Sequence, residues 1–190
     1  MRRKPILAVA AAVAVAIVLG AGLAWNRRDA DGVHNGRAFA TDGGVPVSEL
    51  TTATKGDEVW VLAPAPANIS DSDLTINAVQ PGDTPPGLDY IEAKIFNRDD
   101  FPSGVPLAWD TGSGDGANPA LRPSVTPQGY KLQAGQTMDK EVILLHFRVT
   151  TEQRPLETTG VTIEYSQKGK HYQQTLEGVL KLQPAPAVAK

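Results

Sequence analysis

Between residues 58 and 182 apolar and polar positions alternate in short runs, and Pro or Gly closes most of them. EVWVLA (58–63) is a short strand stopped by Pro64 and Pro66. DLTINAVQ (73–80) puts Leu74, Ile76 and Ala78 on one face, and PGDTPPG then breaks the run. LDYIEAKIFN (88–97) puts Ile91, Ala93 and Ile95 on one face and Tyr90, Glu92, Lys94 and Phe96 on the other. EVILLHFRVT (141–150) has the clearest period of two, with Ile143, Leu145, Phe147 and Val149 opposite His146, Arg148 and Thr150.

The last run is a hairpin. Val161, Ile163 and Tyr165 alternate with Thr162, Glu164 and Ser166; Lys168-Gly169 supplies the turn; Tyr172, Leu176, Leu180 and Leu182 return on one face. Short alternating strands without a helical segment predict an all-β domain over 58–182, an antiparallel immunoglobulin-like β-sandwich. The Cys…Trp…Cys mark of antibody domains is absent, so only the architecture is expected.

The N-terminus follows another pattern. Residues 5–25 carry no charge, and 21 helical residues span about 30 Å, the thickness of a bilayer's hydrocarbon core. Basic clusters flank the run, Pro5 suits a first helical turn, and Trp25 suits an interface. We expect one transmembrane helix acting as a signal anchor. The competing reading is a cleavable signal peptide cut after Ala24, but the run exceeds the usual h-region and Trp25-Asn26-Arg27-Arg28 is an odd mature start. The expected organisation is then a basic cytoplasmic tail (1–4), the anchor (5–25), a Gly/Asp/Thr-rich spacer (26–57), the sandwich (58–182) and a Pro/Ala tail (183–190). The N-terminus is expected in the cytoplasm and the β-domain outside, in a single-pass cell-membrane protein.

The stretch GYKLQAGQTMDKEVILLHFRVT…GVTIEYSQKGKHYQQTL resembles the end of the ectodomain in small, uncharacterised actinobacterial single-pass membrane proteins. The features that carry the resemblance are a Leu-x-x-Gly turn (Leu132, Gly135) and a Val-x-x-x-Tyr strand (Val161, Tyr165) beside a Tyr-bearing one (Tyr172). It implies a location and a fold, and no catalytic residues.

Charge and composition narrow the partners. Five of the 18 basic residues precede the first acidic one, so residue 29 onward carries 13 basic and 21 acidic side chains, a net −8. Such a domain repels phosphate backbones, and no nucleic-acid partner is expected. With no cysteine in 190 residues, disulfides, thiolate metal sites and a Cys nucleophile are excluded.

WDTGSGDG (109–116) is the one stretch with the look of chemistry. Asp110-Thr111-Gly112 is the short signature of aspartic proteases, which need two such loops so that two carboxylates share a proton. One copy implies a homodimer, yet ANPALRPSVTPQGY lacks the apolar pair and Gly that pack beneath that loop in single-motif proteases. Gly112, Gly114 and Gly116 open no helix, so they do not cradle phosphate. Asp110, Asp115 and Asn118 offer oxygens for calcium, without EF-hand spacing. Otherwise the stretch is a solvated turn. His34 falls in the spacer; His146 and His171 fall on polar strand faces as surface residues, and with Met138 they make a poor metal set. Asn68-Ile69-Ser70 matches the glycosylation sequon.

The expectation is a membrane-anchored extracytoplasmic interaction or structural module of the cell envelope, with no cofactor and no assembled catalytic set. Tyr90 and Phe96 are its candidate outward contacts, and an unidentified envelope protein its partner. The alternatives are a homodimeric aspartic protease using Asp110 and a calcium-stabilised adhesion-like module.

Overall fold

A computed structural model describes residues 32–41, 47–113 and 118–183. The chain divides into two units, Met1–His34 and Asn35–Lys190, and the second holds the sandwich. The anchor expected at 5–25 lies outside the described residues, as does the tail from 184. Among the described residues no helix is long and apolar enough to cross a membrane.

The strands are β1 (His34–Asn35), β2 (Phe39–Thr41), β3 (Val47–Leu50), β4 (Glu58–Leu62), β5 (Pro66–Asn68), β6 (Leu74–Pro81), β7 (Leu88–Asn97), β8 (Ala108–Asp110), β9 (Lys131–Leu132), β10 (Glu141–Val149), β11 (Leu156–Gln167) and β12 (Lys170–Leu182). One sheet runs β12-β11-β6-β9, with β3 parallel to β12; the other runs β7-β10-β4-β8. Their inner faces meet in one core, in which Ile76, Ile163, Tyr165 and Leu180 from the first sheet join Val59, Ile95, Leu145 and Phe147 from the second. The domain is therefore an all-β sandwich. The β11–β12 hairpin turns at Lys168 and Gly169, both with positive φ (50° and 74°), the conformation that matches the twist of its strands.

Three bulges change which side chains face inward. In β6 the pairing passes from Tyr165↔Ile76 to Glu164↔Ala78, leaving Asn77 as the extra residue. Ala78, expected inside, turns outward, and Val79 enters the core instead. In β7 the pairing passes from Phe147↔Tyr90 to His146↔Glu92, leaving Ile91 over. Ile91, also expected inside, is 43% exposed, while Tyr90 turns in against Phe147. In β11, Gly160 sits at the break between Thr159↔Val179 and Val161↔Leu176 with φ 70°, so Leu156 and Thr158 share the inner side with Val161. A Cβ on Gly160 would stand 2.9 Å from the Thr175 methyl.

Two further expectations change. The span 26–57 is not a spacer throughout. Phe39 is buried and meets the Tyr165 ring edge-on at 4.9 Å, Gln174 hydrogen-bonds both backbone groups of Phe39, and β3 adds a strand beside β12. The domain thus begins before β2, and the Gly/Thr-rich composition masked two short strands: β2 pairs with β5 and buries Phe39, and β3 lies parallel to β12. Phe96 is not an outward contact. It is 2% exposed inside a second apolar cluster on the outer face of the β7-β10-β4-β8 sheet, with Trp60, Phe101, Trp109, Val142 and Leu144. Tyr90 is half-buried, and its hydroxyl donates to the Val79 carbonyl at 2.7 Å.

Phe147 lies at the centre of this arrangement, fully enclosed on β10. Phe147→Ala is expected to lower unfolding stability by about 3–5 kcal/mol, read from urea denaturation, through lost burial and the cavity left behind.

Candidate functional site

Two cross-strand rows carry the polar groups of interest, one on each face of the same sheet. On the inner face Asp110 on β8, Val59 on β4, Phe147 on β10 and Tyr90 on β7 are successive partners. On the outer face the successive partners are Trp109, Trp60, His146 and Glu92. Direct partners in a ladder share a face, so Asp110 points the same way as core Val59, and His146 the same way as Trp60.

Asp110 is wholly enclosed. A carboxyl group so placed needs hydrogen-bond partners, and hydroxyls supply them. Thr52 donates to its Oδ2, Ser113 donates to Oδ1 at 2.8 Å, and Ser113 N–H closes a turn onto the Asp110 carbonyl at 2.9 Å. Gly112 leaves room at this turn: a Cβ there would come within a tight 3.3 Å of Asp110 Oδ1. Thr111 looks away, donating to Asp57 Oδ1 at 2.7 Å. That bond first, then those from Thr54, hold the Asp57 carboxyl below its ordinary value. The Asp-Thr-Gly trio thus ties β8 to the segments before β4.

Of the calcium candidates, Asp115 lies outside the described residues. The Asn118 side chain caps a short turn, accepting from Ala120 N–H at 3.0 Å. Among the described residues no three of His, Cys, Asp or Glu gather as a metal set. His171 is exposed, with Nδ1 3.1 Å from the Ser166 hydroxyl. Met138 is buried in the core.

His146 is the residue whose surroundings differ most from expectation. Read as a surface residue, it is 7% exposed. Its ring stacks on Trp60 with centroids 4.0 Å apart and planes 7° apart. Nε2 lies 3.1 Å from Glu58 Oε2, and Nδ1 lies 3.9 Å from Glu92 Oε1. Arg148 donates to Glu58 Oε1 at 2.8 Å, and Lys94 Nζ lies 3.1 Å from Glu92 Oε2. Burial pulls the His146 pKa down, against the pull of the two carboxylates, which raise it. The Arg148 bond, ahead of the His146 charge, holds Glu58 below its ordinary value. Burial, then the Glu92 charge, pushes the Tyr90 phenol up to about 12, so it stays a donor.

The missed signal was in the sequence. VILLHF is apolar at both parities, which marks a strand buried on two sides rather than one. The segment 98–107 folds back to cover that second side. Asn97 caps its first turn, accepting from Asp99 N–H at 3.0 Å, and Phe101 meets Phe96 edge-on at 5.7 Å.

Asn68 is buried as well. The nitrogen that would carry a glycan donates to the carbonyls of Ser72, Leu132 and Gln133 at 2.9, 3.3 and 2.9 Å. In the folded domain the sequon is closed.

No protein-family model and no curated protein matches the chain. Among solved structures it is similar to the Vibrio cholerae VesB protease (TM-score 0.37, 13% identity), over 76% of this chain and 32% of that one. It is also similar to a PapD-like (ASH) domain of human CEP192 (TM-score 0.36, 10% identity), over 80% of this chain and 87% of that one. The chain spans about a third of the protease. Likenesses this distant carry no functional argument.

Two outcomes follow from the rows. Asp110→Ala removes the acceptor shared by the hydroxyls of Thr52 and Ser113, exposed residues that water can reach, and is expected to cost about 1–2 kcal/mol in urea denaturation. Asp110→Asn keeps one carbonyl acceptor and should lose less. Because His146 is held below its ordinary pKa, the unfolded chain binds that proton more readily. Its contribution is full above the ordinary value near 6.5 and is lost as pH falls through the lowered one. The urea midpoint should therefore fall between pH 8 and pH 5.5, and His146→Phe, which keeps the stack on Trp60, should flatten that fall.

Proposed function

We propose that this chain is a membrane-tethered interaction or structural module of the cell envelope, with residues 5–25 as its anchor, the N-terminus in the cytoplasm and an immunoglobulin-like sandwich outside. The observation that carries the interaction reading is the edge of β7. Beyond β10, its described partner is a single bridge, Ile95↔Val125. Ile91 at the bulge and Val125 on the bridge are 43% and 56% exposed, so apolar side chains stand beside main-chain groups available to a partner's strand. The bulge and the charged neighbours Glu92 and Lys94 guard that edge against indiscriminate pairing.

The protease reading needs Asp110 to face a second carboxylate across a dimer. Its full enclosure and its two hydroxyl donors favour a structural tie instead. The calcium reading predicts a melting temperature that rises in millimolar calcium and returns with EDTA.

The absence of cysteine makes topology simple to test. A single Cys placed at exposed Ser103 in the full chain should react with a membrane-impermeant maleimide on intact cells, and the protein should sediment with membranes. Labelling only after lysis, or recovery in the soluble cytosol, would overturn the placement. For the edge, cross-linking in membranes should capture a partner with the native chain and lose it with Ile91→Lys and Val125→Lys together. A capture indifferent to those changes would move the contact elsewhere.

A further inference from the structure

His146 has one ring nitrogen engaged and one idle. Nε2 faces Glu58, whereas Nδ1 is buried without a hydrogen-bond partner, 3.9 Å from Glu92 Oε1. The two flanking carboxylates come from different strands, Glu58 from β4 and Glu92 from β7. Each already has a cation of its own: Arg148 of β10 on Glu58, and Lys94 of β7 on Glu92. Among the described residues the charges acting on the ring are Glu58, Glu92 and Arg148, and Lys94 acts through Glu92. Trp60 adds no charge but offers its π-face, which favours a cation.

In the neutral ring with its proton on Nε2, Nδ1 is an acceptor turned toward a carboxylate, and the pair cannot bond. A second proton, taken from solvent, makes Nδ1 a donor, and the nearest carboxylate oxygen is Glu92 Oε1. Glu92 is 41% exposed at its side chain, so rotation of that side chain can close the gap without moving the backbone.

We propose that His146 is a proton-operated clasp across the β7-β10-β4 sheet: on protonation Glu92 leaves Lys94 for Nδ1, and a continuous Glu58–His146–Glu92 chain ties three strands together. The clasp closes next to Ile91, the bulge where β7 departs from regular pairing. Protonation therefore exchanges the Glu92–Lys94 pair for a cross-strand bond at the edge strand's least regular point; the bond offsets only part of the cost of charging a buried ring, so the domain as a whole still loses stability in acid.

The test follows the full-length protein in detergent by NMR from pH 8 to pH 4.5, reading the His146 ring, the amides of Ile91–Lys94 and the Lys94 ammonium. All are expected to shift with one midpoint. Glu92→Gln should move the His146 midpoint down and silence the response at Ile91–Lys94; Lys94→Ala, which frees Glu92, should move it up. Both substitutions are at half-exposed positions. The clasp is overturned if His146 titrates while those amides stay flat, if Glu92→Gln leaves the midpoint where it was, or if the ring takes no proton before the domain unfolds.

Discussion

One strand is buried on both faces, and the sandwich is organised around it. From Val142 to Phe147 every side chain of β10 is enclosed: Ile143, Leu145 and Phe147 enter the core between the sheets, and Val142, Leu144 and His146 enter a second layer under the 98–107 segment. A strand in that position cannot slip by one residue without exchanging the contents of two apolar layers. Its neighbours β4 and β7 inherit the register, and the bulge at Ile91 absorbs the mismatch where β7 must serve both layers.

Most of the strand layout was legible in the sequence, because period-two alternation survives wherever only one face is buried. β10, β11, β12 and their hairpin turn all fall within or close to the expected runs. The inward-facing sets were less legible. Ala78, Ile91 and Phe96 were each assigned to a face by parity, and each sits on the other side of a bulge or under a covering loop. Parity counting has no way to register one extra residue in a strand, since the extra residue is identified only by its partner's position. The early strands β2 and β3 were hidden for a different reason: they are short, β2 pairing with β5 around a single buried Phe39 and β3 lying parallel to β12, which leaves little alternation to read.

The polar interior shows the same limit on the site. Asp-Thr-Gly drew attention as possible chemistry, yet the trio is explained by geometry: an inward-facing strand end must satisfy a carboxylate, and Thr52 and Ser113 do so. His146 reads only as a surface residue, because its alternation with Phe147 and Leu145 points it to solvent. Its stack on Trp60 comes from a residue 86 positions away, paired directly across β4 and β10. Sequence displays such a pair as two unrelated letters.

The attachment of β2 has a mechanical side. The chain enters the sandwich at Gly36, whose N–H bonds to Gln173 at 2.7 Å, and is then held by the Tyr165 hydroxyl on Ala38 and by the Gln174 amide on Phe39. Tension on the N-terminal end reaches these bonds to β11 and β12, with the β2–β5 pairing beside them, before it reaches the rest of the sandwich. Because Phe39 is buried in the core and β2 pairs with β5, a load from that direction is shared with the interior of the sandwich from its first strand onward.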